Sequence, residues 1–172
     1  YTSKSFFETG IEIWEDQFYV NIMSGVTLCK HYLKGMINRN WGRIIFISSE
    51  CSYIVPSDLI SYSATKSAIH AVSRGISNMT KGTGVTSNVI VPGSTLSKGA
   101  EKFISEKAKS ENKSAREIET NFFRNERQNS LLERFATTEE VANTIAYLCS
   151  PNSSATNGSV IKVDGGSSGG IF

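Results

Sequence analysis

The chain has 172 residues, 39% of them hydrophobic and 20% charged, with a formal net charge of +2. That is the size of one domain and the composition of a soluble globular protein. The near-neutral charge points away from nucleic acid, and no apolar run approaches the roughly 18 residues a membrane helix needs. The opening residues Tyr1-Thr2-Ser3-Lys4-Ser5 contain no apolar core of a secretory leader. Cys29, Cys51 and Cys149 are odd in number and have no metal-ligand spacing. They read as reduced thiols in a cytoplasmic compartment, with no metal centre.

Residues 9 to 39 read as helix. Ile11, Trp14, Phe18, Ile22, Val26, Cys29 and Leu33 recur at three and four and form an apolar stripe. Asn21 interrupts the pattern as a polar residue on a helix face. A turn at 38–42 leads into Ile44–Ile47, a continuous and mostly β-branched run that suits a parallel strand covered on both faces. Ser49 closes that strand. The segment 49–61 reads as a loop containing Pro56, placed after a strand where open α/β sheets bind ligands. Its apolar residues Tyr53, Ile54, Val55, Leu59 and Ile60 either cover a substrate pocket or pack against a subunit. Cys51, two residues past Ser49, is a candidate pocket residue, whereas Cys29 and Cys149 read as small core hydrophobes.

A second helix is expected over 61–81, with Ala64, Ala68, Ile69, Val72, Ile76 and Met79 on its apolar side. Small residues (Ser63, Ala64, Ser67, Ala68, Ala71) permit close approach of another helix. His31 and His70 read as ordinary helix residues. Gly82-Thr83-Gly84 ends the helix, and a strand follows over 85–91. Residues 98–134 are the most charged stretch, with nine Lys/Arg and nine Asp/Glu between Lys98 and Glu140. They read as short amphipathic helices with Phe103, Ile104, Ile118, Phe122 and Phe123 facing inward. Thr137 and Glu140 form a capping box that opens a helix ending at Ser150-Pro151. Asn157-Gly158 turns the chain into a last strand over 159–163.

The chemistry lies in Ser61-Tyr62-Ser63-Ala64-Thr65-Lys66. On a helix, i and i+4 share a face, so the phenol of Tyr62 and the ammonium of Lys66 lie side by side. The free groups have pKa values near about 10 and 10.4. A neighbouring cation favours the phenolate and makes the tyrosine a candidate general acid/base at a carbonyl or carbinol oxygen. A serine hydroxyl on the same oxygen, from Ser49, would hold it and stabilise negative charge.

Taken with Gly42-Arg43-Ile44-Ile45-Phe46-Ile47-Ser48-Ser49 before it and Asn88-Val89-Ile90-Val91-Pro92-Gly93 after it, this stretch resembles the short-chain dehydrogenase/reductase family. The likeness is to the branch that includes the 3-oxoacyl-acyl-carrier-protein reductases, and it runs from about Phe6 to Gly166. It implies the C-terminal part of a Rossmann-like, doubly wound α/β sheet, three layers deep, as a single domain over 1–172. Residues 98–134 would be the substrate lid. It also implies an NADP- or NAD-dependent oxidoreductase acting on a small carbonyl or secondary alcohol. Tyr62 would be the acid/base, Lys66 the ribose-binding group, and Ser49 the oxygen-positioning donor. Asn21 would hold, through its backbone carbonyl, a water that touches the lysine. Pro92 and Gly93 would form the turn beside the nicotinamide, with the Thr95 backbone on its carboxamide and the Ser97 hydroxyl nearby. The resemblance further implies a homodimer or homotetramer built on helices 9–39 and 61–81.

A doubly wound nucleotide fold needs about six strands and a Gly-rich first turn, whereas this chain signals three strands and no such turn. The resemblance puts both the turn and the ribose-selecting residue upstream of residue 1. A three-stranded sheet would leave a strand edge and helix faces to be covered. The competing expectation is a non-catalytic assembly piece that keeps the dimer helices without binding dinucleotide.

Overall fold

The computed structural model describes residues 4–170; of the leader reading, Tyr1, Thr2 and Ser3 lie outside the described residues. Three parallel strands, β1 (Gly42–Ile47), β2 (Val85–Pro92) and β3 (Val160–Val163), lie in the order β1-β2-β3. The register runs from Gly42 opposite Val85 to Ile47 opposite Ile90, and from Val89 opposite Val160 to Pro92 opposite Val163. Among the described residues β1 pairs with β2 alone, which is the uncovered edge expected from three strands.

Each face of β2 meets a different helical layer, because successive side chains of a strand alternate. Val85, Val89 and Val91 join Phe46, Ile22, Leu33, Ile69 and Ile76 on one side. Phe46 belongs to β1, and the helical residues come from α2 (Ser24–Asn38), the segment just before it, and α4 (Ile60–Met79). Ile90 points the other way, onto Val141 and Leu148 of α7 (Thr138–Cys149). The three-layer α/β/α arrangement follows. Two of the three buried polar residues of β2 are matched, the Thr86 hydroxyl being the exception: Ser87 Oγ lies 2.9 Å from Ser73 Oγ, and the Asn88 amide donates to Thr156 O and accepts from Ser159 N. Such pairing is what lets hydroxyls and amides sit in a core without a desolvation penalty.

The long first helix is broken in character. α1 (Ile11–Phe18) continues as a π-helical segment, Tyr19–Met23, before α2 begins. A π-turn inserts an extra residue and rotates the face that follows. The apolar stripe therefore splits: Ile22, Val26, Cys29 and Leu33 face the sheet, while Ile11 and Phe18 are exposed. Gly25 sits where the helix crosses β1; a Cβ there would lie 2.7 Å from the Phe46 ring.

Several expectations shift. The segment after Ser49 is not all loop, since Cys51–Ile54 form a short helix, α3. Met79 is exposed because α4 turns Ser61, Ser63, Thr65, Ser73 and Ser77 inward together with Ile69 and Ile76. Cys149 is exposed at the last turn of α7, and Cys51 is buried. The charged stretch forms α5 (Lys98–Glu111) and α6 (Ala115–Asn125) around their own small core of Ile104, Ile118, Phe123 and Phe135. Phe103 lies outside it, exposed, with Lys107 over its ring. Both the Ser114–Glu117 and the Thr137–Glu140 capping boxes are complete.

Candidate active site

The site lies at the C-terminal ends of β1 and β2, where parallel α/β sheets present their ligand-binding loops. Tyr62 and Lys66 stand one turn apart near the start of α4, and the Lys66 ammonium is 5.5 Å from the centroid of the Tyr62 ring. Lys66 Nζ donates a 2.9 Å hydrogen bond to Ile47 O, the last residue of β1 and two before Ser49. Two further bonds hold this turn of helix against the strand end. Ser48 Oγ donates to Lys66 O at 2.9 Å, and Ser67 Oγ donates to Ser52 O at 3.1 Å. Ser49 is half-buried at the entrance to α3, and its Oγ accepts the Cys51 amide. The structure thus brings the Lys66 ammonium to the end of β1, two residues before Ser49, with the Tyr62 ring beside it.

Burial pushes the Lys66 ammonium below its ordinary pKa, because a charge withdrawn from water is disfavoured. His70, one turn further along α4, places Nε2 2.9 Å from Ser48 Oγ. The Ser48 hydrogen is committed to Lys66 O, so His70 is the donor and carries its proton on Nε2. It steadies the residue beside Ser49, a structural duty that fits a helix residue.

Asn21 lies in the π segment and reaches α4 with its side chain: Nδ2 donates to Thr65 Oγ1 at 2.9 Å, and Thr65 Oγ1 donates to Tyr62 O at 2.7 Å. A cleft of about 410 Å³ opens beside it, lined by Glu12, Ile13, Asp16, Gln17, Val20, Asn21 and Tyr62.

After β2 the chain turns at Pro92-Gly93. Gly93 is required by close approach, since a Cβ there would lie 2.6 Å from Asp164 Cα. Thr95 bridges Ala136 in parallel fashion through the peptide groups of its neighbours: Ala136 N donates to Ser94 O and Leu96 N to Ala136 O. The Thr95 N–H therefore faces away from that bridge. Ser97 is the N-cap of α5, its Oγ accepting the Ala100 amide at 3.4 Å.

Three residues that the sequence reading passed over complete the site's framework. Glu50, directly after Ser49, is 3% exposed. Its Oε1 accepts from Ser94 Oγ at 2.9 Å and from Arg127 Nε at 2.7 Å. Burial opposes the Arg127 charge, but the hydrogen bond and the charge of Glu50 outweigh it and raise the guanidinium's pKa. One signal for this was present: Glu50 is the single charged residue between Arg43 and Asp58, and a lone carboxylate in so apolar a stretch needs a partner.

The family profile described as Enoyl-(Acyl carrier protein) reductase matches residues 2–168. Two uncharacterized oxidoreductases of Bacillus subtilis (strain 168), YvaG and YvrD, are each 39% identical, over 94% and 95% of this chain and 61% and 62% of their own lengths. A 3-oxoacyl-(acyl-carrier-protein) reductase of Aquifex aeolicus (strain VF5) is 28% identical over 95% of this chain and 60% of its own. The crystal structure of L-sorbose reductase from Gluconobacter frateurii with NADPH and L-sorbose superposes with a TM-score of 0.91 at 25% identity. That match covers 99% of this chain and 64% of the reductase. The chain spans about three fifths of the length of the curated relatives it matches.

Proposed function

The chain belongs to the short-chain dehydrogenase/reductase family, and from that premise we propose that its protein is an oxidoreductase interconverting a carbonyl and a secondary alcohol with NADP(H) or NAD(H). A 3-oxoacyl thioester is the substrate class we assign, supported by the similarity to the Aquifex reductase. The observation that carries the reading is the turn of α4 clamped to the end of β1. It holds the Lys66 ammonium on Ile47 O, two residues before Ser49, with the Tyr62 ring 5.5 Å from it.

The residues present fit a nicotinamide cofactor. Lys66 spends one of its three ammonium hydrogens on Ile47 O, which leaves two for a ribose, and the Thr95 N–H faces away from its bridge to Ala136 and is free to donate. Lys66 would hold the ribose, Thr95 the carboxamide, and the hydroxyls of Tyr62 and Ser97 would lie alongside. The bound cofactor supplies hydride. Tyr62 gives its phenolic proton to the carbonyl oxygen in reduction and takes it back in oxidation. Lys66 stabilises the phenolate left behind, and Ser49 donates to the same substrate oxygen as negative charge gathers there. Asn21, its side chain fixed by Thr65, would hold through its backbone carbonyl a water for proton return to Lys66.

Within this reading α5 and α6 form a lid, and the protein is cytoplasmic. It is a homodimer or homotetramer through α1, α2 and α4, whose exposed Leu28, Tyr32 and Met79 give the contact its apolar area. A non-catalytic assembly role is not favoured, because the matched relatives are named as oxidoreductases.

The test is NADPH oxidation by the complete encoded protein with acetoacetyl-CoA, followed by absorbance, in wild type and Tyr62→Phe. The variant should lose about 10²–10⁴-fold in turnover with NADPH affinity nearly unchanged. Equal turnover in the two proteins rejects the role of Tyr62.

A further inference from the structure

Residues 98–125 leave the sheet after β2 and return to it, and the two roots of that excursion meet on one atom. Ser94, in the outgoing root, and Arg127, in the returning root, both donate to Oε1 of Glu50. Glu50 is in turn tied to the end of β2, its amide donating to Pro92 O at 2.9 Å. The contact is built and dry. The Arg127 and Glu50 side chains are 14% and 4% exposed, and Glu50 Oε2 is buried with no hydrogen-bond partner. The carboxylate's charge thus rests on Arg127, and burial spares the pair from screening by salt. Arg127 is itself fixed: its guanidinium lies 5.4 Å from the Phe122 ring centroid, and Phe122 stacks on Phe135 at 5.1 Å. The excursion's core shares no buried residue with either sheet-facing cluster, so its position relative to the sheet depends on how its roots are held.

We propose that Glu50 is a clasp joining both roots of the α5–α6 excursion to the strand ends beside Ser49, and that Glu50 and Arg127 are positioning residues that set how the excursion closes on substrate. The proposal rests on the oxidoreductase reading for its kinetic consequence and on geometry alone for its mechanical one. Breaking the pair from one side leaves an uncompensated buried charge, whereas removing both charges together does not. The two single substitutions should therefore be strongly non-additive.

The experiment uses the complete protein as wild type, Arg127→Met, Arg127→Lys, Glu50→Gln and the double Glu50→Gln/Arg127→Met. Amide hydrogen exchange is followed by peptide, and KM and kcat are measured with acetoacetyl-CoA and NADPH. In Arg127→Met, exchange across 94–97 and 122–131 should accelerate about tenfold or more while the strands stay protected. KM should rise about tenfold with kcat within about threefold, and Arg127→Lys should fall between it and wild type. The double variant should show no larger KM rise than Arg127→Met. Unchanged exchange in both segments, or KM effects that multiply in the double variant, overturns the clasp. Should Arg127→Met not fold, Arg127→Lys decides: faster exchange in both roots supports the proposal and unchanged exchange rejects it. If wild type leaves acetoacetyl-CoA unreduced, the substrate assignment fails while the exchange result still decides the clasp.

Discussion

Asn21 and Thr65 join two helices at the one place where the first of them loses α-helical geometry: the asparagine amide donates to the threonine hydroxyl at 2.9 Å. Thr65 passes the contact on to Tyr62 O. The π segment is thereby locked to the helical turn that carries Tyr62 and Lys66. Thr65 is 4% exposed, so its hydroxyl is satisfied within the protein rather than by bulk water.

Thr65→Val removes the shared hydroxyl while conserving shape. It leaves the Asn21 amide without its acceptor, and the expected loss is about 1–2 kcal/mol in chemical denaturation. Turnover should fall with it, because the same hydroxyl orients Asn21. A variant as stable as wild type would show that the Asn21–Thr65 bond contributes nothing to holding the two helices.

Lys66→Met should act in opposite directions on rate and stability. Burial lowers the folded-state pKa of Lys66 below its ordinary value. The group therefore contributes stability only above its unfolded pKa, and that contribution is lost as pH falls through the folded value. At neutral pH the buried ammonium is a burden, so Lys66→Met should melt about 2 °C higher at pH 7, an advantage that fades above the ordinary lysine pKa. Turnover and NADPH affinity should both fall, and unchanged NADPH affinity would count against the ribose contact.

Glu140 offers a pH test remote from the site. The hydrogen bond from Arg134, then that from the Thr137 amide, pulls its carboxyl down to about 2. A depressed carboxyl pKa contributes stability above its unfolded value, lost as pH falls through the folded one. Wild type should therefore lose more melting temperature than Glu140→Gln between the ordinary glutamate range and pH of about 2. Parallel curves for the two proteins would show that the pair contributes nothing.

Gly93→Ala asks whether the turn after β2 is packed as tightly as it looks. The added Cβ would meet the Asp164 backbone, at 2.6 Å from Cα and 2.7 Å from O, and backbone cannot swing aside as a side chain can. Destabilisation of about 1–3 kcal/mol is expected, with weaker NADPH binding because the same turn carries Thr95. Wild-type stability and affinity would mean that β3 can shift to make room.

The order of elements was legible in the residues themselves. The unbroken apolar run Ile44–Ile47 suited a parallel strand, which it forms although Ile47 is exposed at its end, and Thr137 with Glu140 marked a helix start that the structure bears out. The spacing of Tyr62 and Lys66 needed nothing beyond the pitch of a helix. Periodicity misjudged the outward faces. Ile11 and Phe18 fall out of phase once the π segment rotates the helix, and Phe103 shares its neighbours' hydrophobicity without their burial.

Local spacing reports which residues share a face of one element, and that alone determined the three strands, the helices between them and the tyrosine–lysine pair. What holds those elements to one another was decided only in three dimensions. Glu50 and Arg127 are 77 residues apart, and Asn21 and Thr65 are 44 apart. No helical or strand period reaches across such distances; the pairs form because two groups leaving water must find each other once the chain has folded.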